Sequence, residues 1–223
     1  QKSKYLPGIA QGGLIGTLAR SEPEGATAAG GVTATEGKLS GEKCPVMDGR
    51  AADVAIVVAR EGQQSSLFLV ELASAGVRRA LVETLDTSRK HARVSFEAAQ
   101  GERLGAVGAA PEILSRAYDH AAVLAAFQQV GGAMRALEMA RDYALQRYAF
   151  GRPIGSFQAI KHLLADSFVS VTLARSNAYY AAWALETGST GLPIAAAAAR
   201  VSATAAFQHC ATNNIQIHGG IGF

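Results

Sequence analysis

Near residue 107 the sequence changes its grammar, and one type of secondary structure cannot accommodate both halves. Before that point Gly recurs every few residues and the apolar runs are short and rich in Val, Ile, Leu and Phe, which is the pattern of strands. The clearest runs are 53–59 (DVAIVVA), 66–72 (SLFLVEL), 77–85 and 92–96, where Val94 and Phe96 alternate with Ser95 and Glu97. Turns such as 60–63 (REGQ) and 86–89 (DTSR) separate them at the spacing of an antiparallel sandwich or barrel. No helix-length segment intervenes, so a parallel dinucleotide-binding sheet is disfavoured.

From Pro111 onward long Ala- and Leu-rich segments run almost without breakers, and these predict helices. Pro111 suits a first turn. Ile113, Ala117, Leu124, Phe127, Val130, Met134, Leu137 and Leu145 recur at steps of three and four and predict an apolar stripe. A break at 151–155 (GRPIG) follows, with Ser156 as the expected N-cap of a second helix reaching about Thr187. A loop with Gly188, Gly191 and Pro193 leads to a third helix, expected to end near Asn213, after which the tail unwinds into glycines. The fold class is therefore α+β: a β-domain over residues 1–107, then a long-helix up-down bundle over 108–223. The chain enters almost directly into a sheet and closes on three glycines in its last six residues before Phe223. It reads as a piece of a longer protein.

Composition narrows the functional classes. Of 223 residues 49% are hydrophobic and 17% charged, which is ordinary globular material. The 21 basic and 18 acidic residues are intermixed, so charge favours neither nucleic acid nor a membrane surface. No apolar stretch approaches the ~20 residues of a bilayer span, and residues 1–11 lack signal-peptide order. Cys44 and Cys210 are far apart, with neither a CxxC nor a His pair at ligand spacing, so no metal is expected and a cytoplasmic setting is the simpler assumption. His209 and Cys210 point in different directions on a helix and read as packing residues.

Three separated segments, in order, resemble the acyl-CoA dehydrogenase family of flavoproteins. YLPGIA at 5–10 with LIGTLARSEP at 14–23 is similar to the family's lead-in to its middle β-domain. RYAFGRPIGSFQAIKH at 147–162 follows the pattern R…FG.PI..FQ..KH, and QIHGGIGF at 216–223 is similar to its Q..GG.G loop. Between them, residues 41–53 fit a G.K…G..AD hairpin and 86–89 a D..R turn. The resemblance implies that a helical N-terminal domain and a last helix lie outside this chain. It implies FAD bound between the β-domain of one subunit and the helices of another, an acyl-CoA substrate, and an electron-transferring flavoprotein or similar acceptor. The reaction would be αβ-desaturation: a carboxylate takes the α-proton while the β-hydrogen leaves as hydride to flavin N5.

Carried over residue by residue, Arg147 and Gln158 resemble groups that reach the FAD diphosphate and ADP ribose, and Phe150 one that packs at the adenine end. An Arg suits the diphosphate through its fork of donors and permanent charge. The plainer readings are a solvated Arg at a helix end, a surface amide and a core aromatic. Gln216, Gly219 and Gly220 resemble a loop whose bare backbone approaches the diphosphate, where a simple helix cap is the plainer alternative. Ser21 replaces a Thr whose hydroxyl contacts the flavin ring, and Thr27 lies where the family has a Ser near the flavin phosphate. The pattern departs at 24–28, which loses a Gly and an acid. It departs again at Pro45 and Met47, which replace an aromatic and a Thr that stack on and bond to the flavin; Pro donates no backbone hydrogen bond and Met accepts only weakly. No catalytic base is nominated: Ala121 occupies one position where the family can carry it, and Asp119 and His120 are out of register. Two readings stay open, a desaturating subunit of a homo-oligomer, or a partner in a heteromer of two unlike dehydrogenase subunits that completes its neighbour's FAD site.

Overall fold

The computed structural model describes residues 2–23 and 31–223 and divides the chain into two compact units, Gln1–Leu114 and Ser115–Phe223. The sequence change at residue 107 falls in the loop before the first long helix.

The first unit opens with a helix, α1 (Lys2–Ala10), where the sequence leads one to expect direct entry into a sheet. Pro7 lies within this helix and its carbonyl accepts a hydrogen bond from Gln11 N at 3.0 Å, and the carbonyl of Gly8 closes the helix by accepting from Gly13 and Leu14. Eight strands follow: β1 (Gly16–Ala19), β2 (Thr33–Thr35), β3 (Lys38–Met47), β4 (Val54–Glu61), β5 (Gln64–Glu71), β6 (Val77–Val82), β7 (His91–Gln100) and β8 (Glu102–Leu104). They form one sheet in the order β6-β7-β3-β2-β4-β5-β8, with β1 beside β4. The pairings are antiparallel except that β1 and β2 each run parallel to β4. Residues 41–53 accordingly make no hairpin: β2 lies between β3 and β4, and residues 48–52 form a turn linking strands that do not pair. The 86–89 turn does join two paired strands, β6 and β7, and the Asp86 carboxylate accepts from the amide and hydroxyl of Ser88. Alternate residues of β3, β4, β5 and β7 point into one apolar cluster that includes Leu39, Val57, Phe68 and Val94.

The second unit is built on α2 (Ala110–Gln146, which begins before the unit boundary), α3 (Gln158–Glu186) and α4 (Leu192–His218). On α2 the buried positions Val123, Ala126, Val130, Ala133, Leu137, Ala140 and Ala144 alternate steps of three and four, with Ala136 buried beside them and Ala110 at the helix start. Val171, Ala174, Ala178 and Ala181 of α3 and Ala196, Ala199, Ala203, Ala206 and Cys210 of α4 repeat that step. A 3.5-residue period keeps one seam facing its neighbours along a long helix, and Ala at most seam positions lets the backbones approach closely. The expected stripe on α2 is thereby corrected. Val130 and Leu137 are buried and Phe127 and Met134 pack at its margin, but Ile113 and Ala117, which precede the buried cluster, are exposed, and so are Leu124 and Leu145, because the seam favours small side chains.

Two helix ends also differ from expectation. The N-cap of α3 is Phe157, and the Ser156 hydroxyl donates to the carbonyl of Pro153 at 2.7 Å. The third long helix continues past Asn213 to His218, because Asn213 Nδ2 donates across to the Ser167 hydroxyl on α3 at 3.0 Å and so finds its partner within the bundle. Among the described residues no helix is long and apolar enough to cross a membrane.

Candidate functional site

The up-down path of the three long helices returns the C-terminus of α2, the N-terminus of α3 and the C-terminus of α4 to one end of the second unit. A small cluster fixes that end: Ala140 and Ala144 of α2 and Ile217 of α4 are buried together, with Tyr143, Ile154 and Ile160 packed against them. Gly155 passes so near α2 that a Cβ there would lie 3.0 Å from the carbonyl oxygen of Ala144.

The α2–α3 connection is a hairpin of two short strands, β9 (Tyr148–Ala149) and β10 (Arg152–Pro153), closed where Ile154 N donates to the carbonyl of Arg147 at 2.8 Å. Its two-residue loop, Phe150 and Gly151, has φ of +53° and +77°. Positive φ at both central positions defines the turn that matches strand twist. Phe150 is 94% exposed at this tip and meets only the edge of Phe157, with ring centroids 6.3 Å apart. The Arg152 guanidinium lies over the other part of this aromatic pair, 4.0 Å from the Phe157 centroid. Arg147 and Gln158, at the two ends of the hairpin, are exposed, and among the described residues no carboxylate pairs with Arg147.

The second loop arrives at the same end. His218 stacks on Tyr143 with ring centroids 4.2 Å apart, and its Nδ1 lies 2.8 Å from the carbonyl oxygen of Asn214. Gly219 caps α4 at φ +61°, and a Cβ on Gly219 or Gly220 would meet nothing within 4 Å, so their backbone is open to an approaching group. Gln216 is exposed on the last turn. The fold thus gathers Arg147, Phe150, Gln158, Gln216, Gly219 and Gly220 at one end of the bundle. A cation, an exposed aromatic face, two amides and backbone without side chains, although the Gly219 N–H itself donates to the carbonyls of Gln216 and Ile215, form a set that fits a dinucleotide diphosphate.

Tyr143, His218 and Arg152 hold this end in shape, and sequence reasoning passes over them. His218 sits inside the QIHGGIGF segment, but no spacing rule pairs it with an aromatic 75 positions earlier. In the first unit Ser21 is exposed and its carbonyl accepts from Cys44 N at 2.9 Å. Thr27 lies outside the described residues. Pro45 and Met47 are both exposed on β3. An apolar groove of this unit, about 590 Å³ between α1 and the sheet and lined by Leu6, Ile9, Leu18 and Ile56, is not lined by Ser21, Pro45 or Met47. Glu138 and Asp142 are spent on surface ion pairs with Arg135 and Arg141. Among the described residues no three His, Cys, Asp or Glu side chains gather to hold a metal.

The sequence profile described as acyl-CoA dehydrogenase, C-terminal domain, matches residues 111–223. The chain belongs to the acyl-CoA dehydrogenase family. It is 40% identical over 140 residues to acyl-CoA dehydrogenase IpdE2 of Mycobacterium tuberculosis, a match spanning 63% of this chain and 39% of that protein. Its fold superposes on the structure titled PigA with FAD and proline with a TM-score of 0.91 at 26% identity, over 100% of this chain and 62% of the other. It superposes on the Tcur3481-Tcur3483 steroid ACAD with a TM-score of 0.83 at 28% identity, over 99% of this chain and 61% of the other. The curated relatives that match along this whole chain, an acryloyl-CoA reductase and an acyl-CoA dehydrogenase among them, are longer, and it spans 61% to 63% of their length.

Proposed function

We propose that this chain is part of a subunit of an FAD-dependent acyl-CoA dehydrogenase that desaturates an acyl-CoA thioester between Cα and Cβ, with an electron-transferring flavoprotein or similar protein as acceptor. The observation that carries the proposal is the convergence of the hairpin 147–158 and the loop 216–220 on one end of the bundle. Arg147 neutralises diphosphate charge there, and Gly219 and Gly220 let the phosphates approach the backbone without an intervening Cβ. The exposed ring of Phe150 offers a face to the adenine, while the amides of Gln158 and Gln216 bond the ribose and diphosphate. Ser21 supplies a hydroxyl at the edge of the flavin ring. FAD, when bound, supplies the acceptor for the β-hydrogen as hydride. The α-proton goes to a carboxylate that lies outside the residues assigned here.

A second reading is favoured by Pro45 and Met47, which remove a donor and a hydroxyl from the strand expected to meet the flavin, and by the likeness to a steroid ACAD named for two gene products. In that reading the subunit lends Arg147, Gln158 and the 216–220 loop to FAD held by an unlike partner. Expressing the full-length protein alone and together with a paralogous dehydrogenase separates the two. Stoichiometric flavin and acyl-CoA-dependent dye reduction by the protein alone support the first; a colourless protein that turns yellow only in complex supports the second. In either case Arg147→Ala removes a charge-assisted contact and is expected to weaken FAD retention roughly 10- to 100-fold with the helical circular dichroism intact. Unchanged flavin content would remove Arg147 from the site.

A further inference from the structure

We infer that Lys43 is a positioning residue, which with Cys44 clamps residues 20–22 so that the Ser21 hydroxyl is presented in one place. Two consecutive residues of β3 hold three consecutive residues beyond β1. Lys43 Nζ donates to the carbonyl of Arg20 at 3.1 Å and pairs with the Glu22 carboxylate, while Cys44 N donates to the carbonyl of Ser21 at 2.9 Å. These contacts bracket Ser21 on both sides and leave its side chain exposed.

The cost of this arrangement argues that it is there for placement. Lys43 is 1% exposed, the largest fully buried side chain among the described residues. Desolvation pushes its ammonium below its usual range, against the pull of Glu22. A buried ion pair of this kind seldom adds net stability over apolar side chains of the same volume, whereas breaking it by removing one partner is expensive. The Glu22 side chain also needs space cleared for it: a Cβ on Gly31 would lie 2.5 Å from Glu22 Oε1. The segment it fixes has little else to define it. β1 ends at Ala19, residues 20–23 adopt neither helix nor strand, and Pro23 has no amide hydrogen to offer. Because Pro45 lacks a backbone N–H and Met47 lacks a hydroxyl, placement of Ser21 bears more of the contact with the flavin edge. This inference rests on the FAD-binding reading above.

The test uses the full-length protein in the assembly that binds flavin, and compares melting temperature with the dissociation constant for FAD read by flavin fluorescence. Ser21→Ala and Lys43→Met are each expected to weaken FAD binding about tenfold, the loss of roughly one hydrogen bond, and Ser21→Ala adds nothing further in the Lys43→Met background. The double variant Lys43→Met/Glu22→Met, which removes both charges, is expected to recover the melting temperature lost by Lys43→Met while its FAD binding stays weak. If Lys43→Met does not fold, the double variant alone is compared with and without Ser21→Ala. Affinity that recovers together with stability, or a Ser21→Ala effect that remains tenfold in either background, overturns the clamp. A wild-type protein that takes up no FAD in any assembly overturns the reading beneath it.

Discussion

Phe150 occupies a conformation that an L-residue with a bulky side chain adopts only at a cost of about 1–2 kcal/mol. Gly151 beside it meets the same demand without one. Burial does not recover the cost, because the ring is almost wholly exposed, and an edge contact with Phe157 is worth about 0.5–1.5 kcal/mol at most. Asn is far better suited to the first position of such a loop. Phe150→Asn is therefore expected to stabilise the isolated protein by about 1 kcal/mol in a denaturant titration while lowering its flavin affinity. A variant that gained stability and kept full affinity would make Phe150 a tolerated defect with no part in binding. The sequence offers Phe150 as a motif letter, but the strain that singles it out belongs to the hairpin and is invisible until Ile154 is seen to close on Arg147. Lys43 is hidden for a related reason: a Lys on a strand reads as solvated, and only the return of residues 20–22 over β3 buries it.

At the scale of elements, the long helices are legible in the lack of breakers after Pro111, whereas their packing faces are not. A seam made of Ala beside exposed Ala and Leu gives little contrast between apolar and polar sides, so the pattern that matters is small against large. Ala203, fully buried between helices, has no room for more: Ala203→Leu is expected to cost about 1–3 kcal/mol by overpacking. Gly131, by contrast, sits mid-helix on α2, and a methyl group added there would meet nothing within 4 Å, so Gly131→Ala is expected to gain up to about 1 kcal/mol from helix propensity. Opposite signs in chemical denaturation would confirm a size-selected seam, and a harmless Ala203→Leu would contradict it. Asn213 misleads for a similar reason, since the sequence marks it as a terminator and gives no sign of the Ser167 hydroxyl waiting on α3. The strands are easier, because Val94 and Phe96 alternate with polar neighbours and the pleat converts that alternation directly into an inner and an outer face.

At the scale of the whole molecule, α3 and α4 are rich in exposed apolar groups on the faces turned away from their seams. Two residues' offset from a seam position is a rotation of roughly 200°. On α4 that face includes Ile194, Val201 and Ile215 beside Thr204, Gln208 and Thr212, with Ile194 79% and Val201 70% exposed, and it carries no charge. On α3 the same face carries Val169, Leu173, Tyr180 and Trp183, all more than half exposed, together with the polar Thr172 and Ser176. A helix face this rich in exposed apolar groups suits burial against a partner, and the second subunit expected at the FAD site would supply one. Both seams repeat every seven residues over roughly 20–30 Å, a length suited to helices of another subunit lying alongside. Placing a carboxylate there leaves the bundle's own core untouched: Val201→Glu is expected to keep the helical circular dichroism and to reduce the assembly to a smaller species in sedimentation, with flavin lost in parallel. If the charged variant sediments as the parent does, α4 faces solvent in the working protein, and the subunit contact that completes the dinucleotide site must be made by other surfaces.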